Sequence, residues 1–372
     1  MIYKLSTGDE VHRYKKSIVI PFKGERKVLS TSPINGAYRE DLKAVFNHDS
    51  NPGAGMKCEL KAPTYEEHMF LIAEELGLEA EKTAGISTAA SMENVSIKTE
   101  SYRDITVTAI VTGGIEVNGG RVGDPASVYE VDGKFESTNE GTINIILVID
   151  ADLSPRAITR ALVTCTEGKT AAIQELLEGS KYSRGIATGS GTDGTIIVSN
   201  KESPLKLTNA GKHSKLGELI GFTVKEAVKE ALFLQTGLCP KSQHSALRRT
   251  KRFGVDEDTI WNKYISIFSE DEKILMKAEF INNLHTIDTR DEIVTLTSLY
   301  VHLLDQLDWE LLSKKEVALE GEKLLERILS IFNMDFPDIL NIKNLTKLSD
   351  ENVIEEMVDK LIAVMAMASR ET

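Results

Sequence analysis

Hydrophobic and polar positions follow different patterns in the two parts of the chain. In the first part, short runs rich in β-branched residues are each bounded by Gly, Asn or Asp: SIVIPF from Ser17, ITVTAIVT from Ile105, INIILVI from Ile143 and TIIVS from Thr195. From about Asp256, apolar residues instead recur every three or four positions, as in DEDTIWNKYISIF and NVIEEMVDKLIAVMAMA. The pattern therefore predicts buried strands first and an all-helical region afterwards.

Helices with recognisable ends separate the predicted strands. A capping box at Thr64 predicts a helix that Gly77 ends, and the Ser-Pro pair at Ser154 predicts the start of a second helix. A third helix is expected from Ser214 to Gly237, because apolar residues spaced by three and four lie between them. Strands and helices mix without a regular βαβ order, so we expect an α+β fold: a layered sheet and helix domain followed by an all-α C-terminal domain.

Glycine usage marks the boundary between these two regions. Of the 26 glycines, only Gly237, Gly254 and Gly321 lie after residue 235, so a loop-rich segment precedes one with few turns. We expect two domains, residues 1–237 and residues 238–372. Nothing in the helical domain assigns it a role, and homo-oligomerisation through it is one open alternative.

Charge and cysteine spacing limit the classes of partner. A formal net charge of −13 without a Lys/Arg-rich run opposes the phosphate contacts of nucleic-acid binding. Cys58, Cys165 and Cys239 have no paired spacing, which argues against disulfides or structural zinc and indicates a reducing cytoplasm. The N-terminus lacks a signal-peptide segment, and no apolar run reaches the ~20 residues of a membrane span. We therefore expect a cytoplasmic protein that binds neither nucleic acid nor membrane.

Three stretches carry longer and more specific motifs. They are LSTSPINGAY from Leu29, VTGGIEVNGGRVGDPA from Val111, and a block from Gly141 with GTINIIL, TEGKTAA, ATGSGTDG and KHSKLGELIG in that order. Together they resemble the adenosylcobinamide amidohydrolase family over roughly residues 1–235. The resemblance implies hydrolysis of the amide that joins a corrin side chain to aminopropanol, giving adenosylcobyric acid for renewed cobamide (vitamin B12) synthesis.

The same resemblance implies a corrinoid as the small-molecule partner. Its cobalt-borne positive charge is compatible with an acidic protein, and because the cobalt belongs to the substrate we expect no separate cofactor. His48 and Asp124 complete the polar candidates, but the sequence has no HExxH or similar ligand spacing, so we expect no protein-bound metal.

Hydrolysis of an unactivated amide needs a nucleophile, and Thr142 is the leading candidate. It stands directly before the strand predicted from Ile143, so a rigid element would hold its hydroxyl. The order of elements here is also similar to ornithine acetyltransferases and related aminopeptidases, which begin such a strand with Ser or Thr and cleave the chain just before it. Cleavage between Gly141 and Thr142 would free an α-amino group able to act as the base. The alternative is a β-branched residue that simply enters a strand.

Two asparagines could donate hydrogen bonds to the oxyanion that forms. Asn118 lies in the turn-like EVNGGR, where tolerance of left-handed backbone geometry is the simpler role. Asn144 interrupts an apolar strand, so it needs either a structural hydrogen-bond partner or a catalytic role.

The glycine-rich loop, residues Gly189 to Gly194, matches GxGxxG. A predicted strand follows it rather than a helix, so a dinucleotide site is rejected. We expect Gly189 and Gly191 to let the backbone approach substrate closely, with Thr192 and Asp193 as polar anchors. A plain turn between strands is the alternative.

Two further polar segments complete the predicted site. His213 begins the third helix, whose positive end favours anionic or carbonyl groups, so we interpret it as the acid for the leaving amine and Ser214 and Lys215 as substrate contacts. A solvated cap residue is the alternative for His213. Glu167 and Lys169 lie among small residues in TEGKTAA, which leaves a catalytic role, a structural ion pair and exposed charges open.

An amidohydrolase is the leading hypothesis. A corrinoid-binding protein could keep the same pocket without turnover, and an autoprocessing acyltransferase or aminopeptidase of a related fold would act on acylated amino acids or peptides. Release of aminopropanol from adenosylcobinamide distinguishes the first hypothesis from the other two.

Overall fold

A computed structural model describes residues 1–53, 60–126, 142–269, 274–337, 340 and 348–372. The chain divides into two compact units, Met1–Cys239 and Pro240–Thr372, and each is considered by itself. In the described residues, the first unit contains sheets and helices and the second contains helices. The predicted α+β class with an all-α C-terminal region is therefore confirmed.

The described strands of the first unit are between two and nine residues long. In chain order the described strands are β1 (Tyr3–Lys4), β2 (Glu10–Tyr14), β3 (Ser17–Pro21), β4 (Arg26–Ser30), β5 (Ala37–Arg39), β6 (Ala44–Asp49), β7 (Thr83–Thr88), β8 (Ser96–Tyr102), β9 (Ile105–Gly113), β10 (Gly119–Gly120), β11 (Ile143–Ile149), β12 (Asp152–Leu153), β13 (Gly189–Ser190), β14 (Gly194–Asn200) and β15 (Lys206–Leu207). The first sheet has the order β1-β2-β3-β6-β7, and the second has the order β5-β4-β14-β11-β9-β8. Strand β10 pairs with β13, and β12 pairs with β15.

The three helices of the first unit that the structure describes begin where the sequence places caps. In chain order the described α-helices are α1 (Tyr65–Glu75), α2 (Pro155–Leu176) and α3 (Lys215–Thr236) in the first unit, and α4 (Ala246–Thr250), α5 (Glu257–Phe268), α6 (Lys277–Asp288), α7 (Asp291–Asp308), α8 (Lys314–Ser330) and α9 (Asp350–Arg370) in the second. Thr64 forms the capping box of α1, while Ser154 and Ser214 accept hydrogen bonds from the first turns of α2 and α3.

The described elements of the first unit stack in four layers: α1, the first sheet, the second sheet, and α2 with α3. Strand β11 shows the reason. Ile145 and Leu147 point towards α2 and α3, whereas Ile146 and Val148 point towards the first sheet. A strand that is buried on both faces needs apolar residues at almost every position, which explains the run INIILVI.

The strand registers bring several chain ends to one end of the second sheet. Ile143 pairs with Gly113, and Asn144 pairs with Gly194. Thr142 therefore lies where β9 ends and where β11 and β14 begin. This end of the sheet is called the Thr142 end below.

The second unit has its own apolar core. Met357, Leu361 and Met365 of α9 are buried in it, so the methionine-bearing stripe of the last helix packs the interior. Tyr264 and Phe280 pack beside each other in the same core, with ring centroids 4.6 Å apart. None of the described helices, in either unit, is long and apolar enough to cross a membrane.

Candidate active site

Two threonine hydroxyls meet at the Thr142 end of the second sheet. Thr142 Oγ1 lies 2.5 Å from Thr192 Oγ1, and either oxygen can be the donor. Thr142 is buried, and its backbone carbonyl accepts a hydrogen bond from Gly114 N–H. The rigid start of β11 therefore holds a hydroxyl in one place, as the strand pattern predicts.

The carboxylate of Asp193 connects three separate segments around this hydroxyl pair. It forms an ion pair with Lys169 Nζ of α2, accepts from Ile143 N–H at 3.0 Å, and accepts from Ser190 Oγ at 2.6 Å. The Lys169 and Asp193 side chains are only 12% and 13% exposed. The peptide that follows Thr142 is thus fixed by a charge-assisted hydrogen bond.

Ser190 was not singled out by the sequence motifs, although it takes part in this network. Its Oγ donates to Asp193 and accepts from Thr192 N–H at 3.3 Å. The available signal was its place inside the glycine-rich loop, where a small hydroxyl side chain can reach neighbouring backbone groups.

Of the two glycines predicted to contact substrate, only Gly189 lies where the fold has no room for a side chain. A Cβ added at Gly189 would lie 2.3 Å from Asp193 Oδ2 and 2.7 Å from Lys169 Nζ, so a side chain there would displace the ion pair. A Cβ at Gly191 would meet no atom within 4 Å. Strand β14 follows the loop, as the sequence pattern predicts, so the loop does not open a helix.

Asn144 links the two sheets of the first unit. Its Nδ2 donates to Asn47 Oδ1 and to Ser87 O, both at 2.8 Å, and its Oδ1 accepts from Gly194 N–H at 3.0 Å. Both N–H groups of the amide are used within the protein. The geometry favours the structural alternative and leaves no N–H donor on Asn144 for an oxyanion.

Asn118 directly precedes the short β10–β13 ladder. Gly119 of β10 pairs with Ser190 of β13, so the buried Asn118 is adjacent to the loop that carries Thr192. A substrate contact for Asn118 remains a prediction.

The KHSK segment, Lys212 to Lys215, lies at the start of α3, which is the end of that helix away from Thr142. Lys215 Nζ is 4.7 Å from the centroid of the Tyr102 ring, which lies at the far end of β8, whereas Leu232 packs beside the last residue of β9. At 1.5 Å per residue, the helix between Lys215 and Leu232 is about 25 Å long. His213 precedes Lys215 and is exposed. The structure therefore does not bring His213 to Thr142, because the direction of α3 places the two residues at opposite ends of the sheet.

Ser214 and Glu167 each have a structural partner. Ser214 Oγ accepts from Gly217 N–H and donates to Gly211 O, which caps α3. Glu167 is exposed, and its Oε1 lies 3.7 Å from Lys212 Nζ. Glu167 and Lys169 are two residues apart on α2, so they point to different sides of the helix and do not share a site.

We expect His213→Ala to leave the rate of amine release within about twofold of the wild type, whereas loss of a general acid would cost at least about 100-fold. The reason is the position of His213 beyond hydrogen-bond reach of Thr142. Steady-state rates of aminopropanol release test this expectation, and a 100-fold loss would contradict the placement of the reaction at Thr142.

The remaining polar candidates also have local roles. His48 Nδ1 lies 2.8 Å from Ser17 Oγ, and burial lowers the pKa of His48 to about 4, so its imidazole is neutral at pH 7. Asp124 accepts from Ser180 Oγ at 2.5 Å and from Arg121 N–H at 2.7 Å. Across the described ranges, no three His, Cys, Asp or Glu side chains group as metal ligands, and we assign none.

Comparison with known proteins identifies the family. A family model described as adenosylcobinamide amidohydrolase matches residues 2–240. An uncharacterized protein of Methanocaldococcus jannaschii is 36% identical over 231 residues, covering 59% of this chain and 87% of that protein. The adenosylcobinamide amidohydrolase of Methanosarcina mazei is 27% identical over 234 residues, covering 61% of this chain and 98% of that protein. The chain belongs to the adenosylcobinamide amidohydrolase family.

Proposed function

We propose that the first unit hydrolyses the amide bond of adenosylcobinamide to adenosylcobyric acid and aminopropanol, in the salvage of corrinoids for cobamide synthesis. The observation that carries this proposal is the 2.5 Å contact between Thr142 Oγ1 and Thr192 Oγ1 at the rigid start of β11. The family membership supports the substrate class. Cobalt enters as part of the corrinoid, so the reaction needs no separate cofactor.

In the proposed reaction Thr142 acts as the nucleophile. Its Oγ1 attacks the amide carbon and forms a tetrahedral oxyanion, and Thr192 Oγ1 accepts a hydrogen bond that orients the attacking group. Lys169, held by Asp193, adds a positive charge near the developing negative charge. Aminopropanol takes up a proton and leaves, and water then hydrolyses the Thr142 ester to release adenosylcobyric acid.

The base for the Thr142 proton depends on the state of the chain. Gly141 lies outside the described residues, so the predicted cleavage site before Thr142 is not described. If the chain is cut there, the new α-amino group belongs to Thr142 itself and can accept the hydroxyl proton. An uncut chain needs a separate base.

An exposed tyrosine lies on the loops beside the hydroxyl pair. Tyr182 is 41% exposed, and a Cβ added at Gly120 of β10 would be only 3.3 Å from its ring. The ring therefore rests on the backbone of the ladder that leads to Thr192. A corrin ring is large and carries positive charge, so a tyrosine face can bind it through contact area and a cation–π interaction.

We expect Tyr182→Ala to raise KM for adenosylcobinamide about tenfold, the equivalent of about 1.4 kcal/mol of lost stacking, with little change in kcat. The matched control is Tyr102→Ala, because Tyr102 is 43% exposed but lies at the far end of the second sheet. Steady-state kinetics of both variants test the prediction. Equal changes in the two variants would remove Tyr182 from the substrate surface.

The proposed function is tested by incubating the full chain with adenosylcobinamide and following the products by mass spectrometry. We expect aminopropanol and adenosylcobyric acid to appear in equal amounts. Binding of the corrinoid without products would instead indicate a corrinoid-binding protein. Turnover of acylated amino acids or peptides, with none of adenosylcobinamide, would indicate an acyltransferase or aminopeptidase.

A further inference from the structure

A cleft of about 490 Å³ lies beside the first turns of α2, away from the Thr142 end of the second sheet. Helix α2 begins just after Leu153, whose N–H donates to Ser199 Oγ near the end of β14. Strand β14 starts beside Asn144 at Gly194, so Ser199 lies close to the opposite end of that strand. The cleft is therefore separate from the hydroxyl pair. It is lined by Arg156, Thr159, Arg160, Val163, Thr208 and Asn209.

Both walls of the cleft are held in place. The four helical residues recur at spacings of three and four, so they share one face of α2. The opposite wall, Thr208–Asn209, lies between two anchors on the α2 side: Leu207 O accepts from Ser154 N–H at 3.1 Å, and Ala210 O accepts from Thr164 Oγ1 at 2.8 Å. Hydrogen bonds to backbone carbonyls therefore fix the position of both walls of the cleft.

Two arginines line this cleft, although the chain as a whole carries a formal net charge of −13. Among the residues that the structure describes, the exposed side chains of Arg156 and Arg160 form no ion pair and no hydrogen bond. Lys225 and Lys229 of α3 do have a carboxylate partner, because both pair with Glu175 at the other end of α2. Two like charges four residues apart on a helix repel each other, and an anion between them would relieve that repulsion.

The residues that line the cleft favour an anionic ligand. It contains no carboxylate, and its guanidinium, hydroxyl and amide groups offer many hydrogen-bond donors. The positive end of α2 adds to the same preference for negative charge. Arginine forks match phosphate oxygens in a bidentate manner. Val163, which is 41% exposed, supplies an apolar surface in the same cleft.

We propose that this cleft binds a small phosphate ester, with the Arg156 and Arg160 guanidinium groups on the phosphate and Val163 against the organic part. The proposal also gives a role to the start of the AGKHSKLGELIG run, which the Thr142 site does not use. A Cβ added at Gly211 of that run would lie 3.5 Å from Arg160 Nε, so the run begins beside the cleft. The proposal stands apart from amide hydrolysis, because ligand binding alone tests it.

The test is calorimetric titration of the full chain with adenosine 5′-monophosphate, orthophosphate and adenosine. We expect the monophosphate to bind more tightly than orthophosphate and adenosine to bind least. The double variant Arg156→Gln/Arg160→Gln should weaken binding of the monophosphate at least tenfold. The matched control Lys225→Gln/Lys229→Gln removes the same two charges from α3 and should bind like the wild type.

Three results would overturn the proposal. The first is the absence of monophosphate binding to the wild type at millimolar concentration. The second is equal weakening in the two double variants, which would show only a general charge effect. The third is equal affinity for orthophosphate and the monophosphate, which would remove the ester and the contact with Val163.

Discussion

Thr142→Ala is expected to lower the rate of adenosylcobinamide hydrolysis by at least about 1,000-fold, because loss of a nucleophile removes the covalent route entirely. Binding of the corrinoid should persist, since the substitution removes one hydroxyl and one methyl from a strand that the sheet holds in place. Single-turnover kinetics and a binding titration measure the two quantities separately. Full activity in Thr142→Ala would contradict the nucleophile assignment.

Two further variants sharpen this result. Thr142→Ser should keep part of the activity, because the attacking hydroxyl remains while the methyl that restricts its rotamer is lost. Thr195→Ala is the control, since it removes a hydroxyl from the neighbouring strand β14 and leaves the pair of Thr142 and Thr192 intact. Intact-mass measurement of the wild type tests cleavage before Thr142 directly. An unbroken, active chain would exclude the free-amine base.

Asp193→Asn is expected to lower the free energy of unfolding of the first unit by about 3 kcal/mol, because it leaves a largely buried ammonium group without its carboxylate. Lys169 is the group left unpaired, with a side chain only 12% exposed. The same change should lower kcat at least about 100-fold, since it also loosens the peptide beside Thr142. Urea unfolding and steady-state kinetics measure the two effects.

A substitution of Lys169, the other member of this ion pair, provides a comparison. Lys169→Met should cost less stability than Asp193→Asn, because the carboxylate keeps its hydrogen bonds from Ile143 N–H and from Ser190. Glu230→Gln is the more exposed control, because the side chains of Glu230 and of its partner Lys98 are each 39% exposed. That change should cost less than about 1 kcal/mol. A loss as large as that of Asp193→Asn would show that burial does not set the size of the effect.

Local structure in this chain could be predicted from the sequence because its causes are local. The run INIILVI coincides with the bounds of β11, since a strand buried on both faces requires it. Ser154 followed by Pro155 fixes the first turn of α2 through a cap and a preset backbone angle. The strand pattern after the glycine-rich loop excludes a dinucleotide site, because that fingerprint must open a helix.

The composition of the site could not be predicted in the same way. Asn144 takes its partner from Asn47, 97 residues earlier, and that contact depends on how the two sheets face each other. Closeness in sequence groups Lys169 and Glu167 in one candidate site, yet helical geometry turns them to different partners, Asp193 and Lys212. Nearness along the chain gave the wrong grouping for Glu167.

The sequence by itself determined the family, the α+β class, the ends of α1 to α3 and the strand that carries Thr142. All of these depend on periodicity, caps and motifs within a few residues. Only the tertiary structure decided that Thr142, Thr192, Asp193 and Lys169 meet. It also decided that His213 lies about 25 Å along α3 from that end, at 1.5 Å per residue. The physical reason is that strand register and helix direction, which no short motif encodes, set which segments become neighbours.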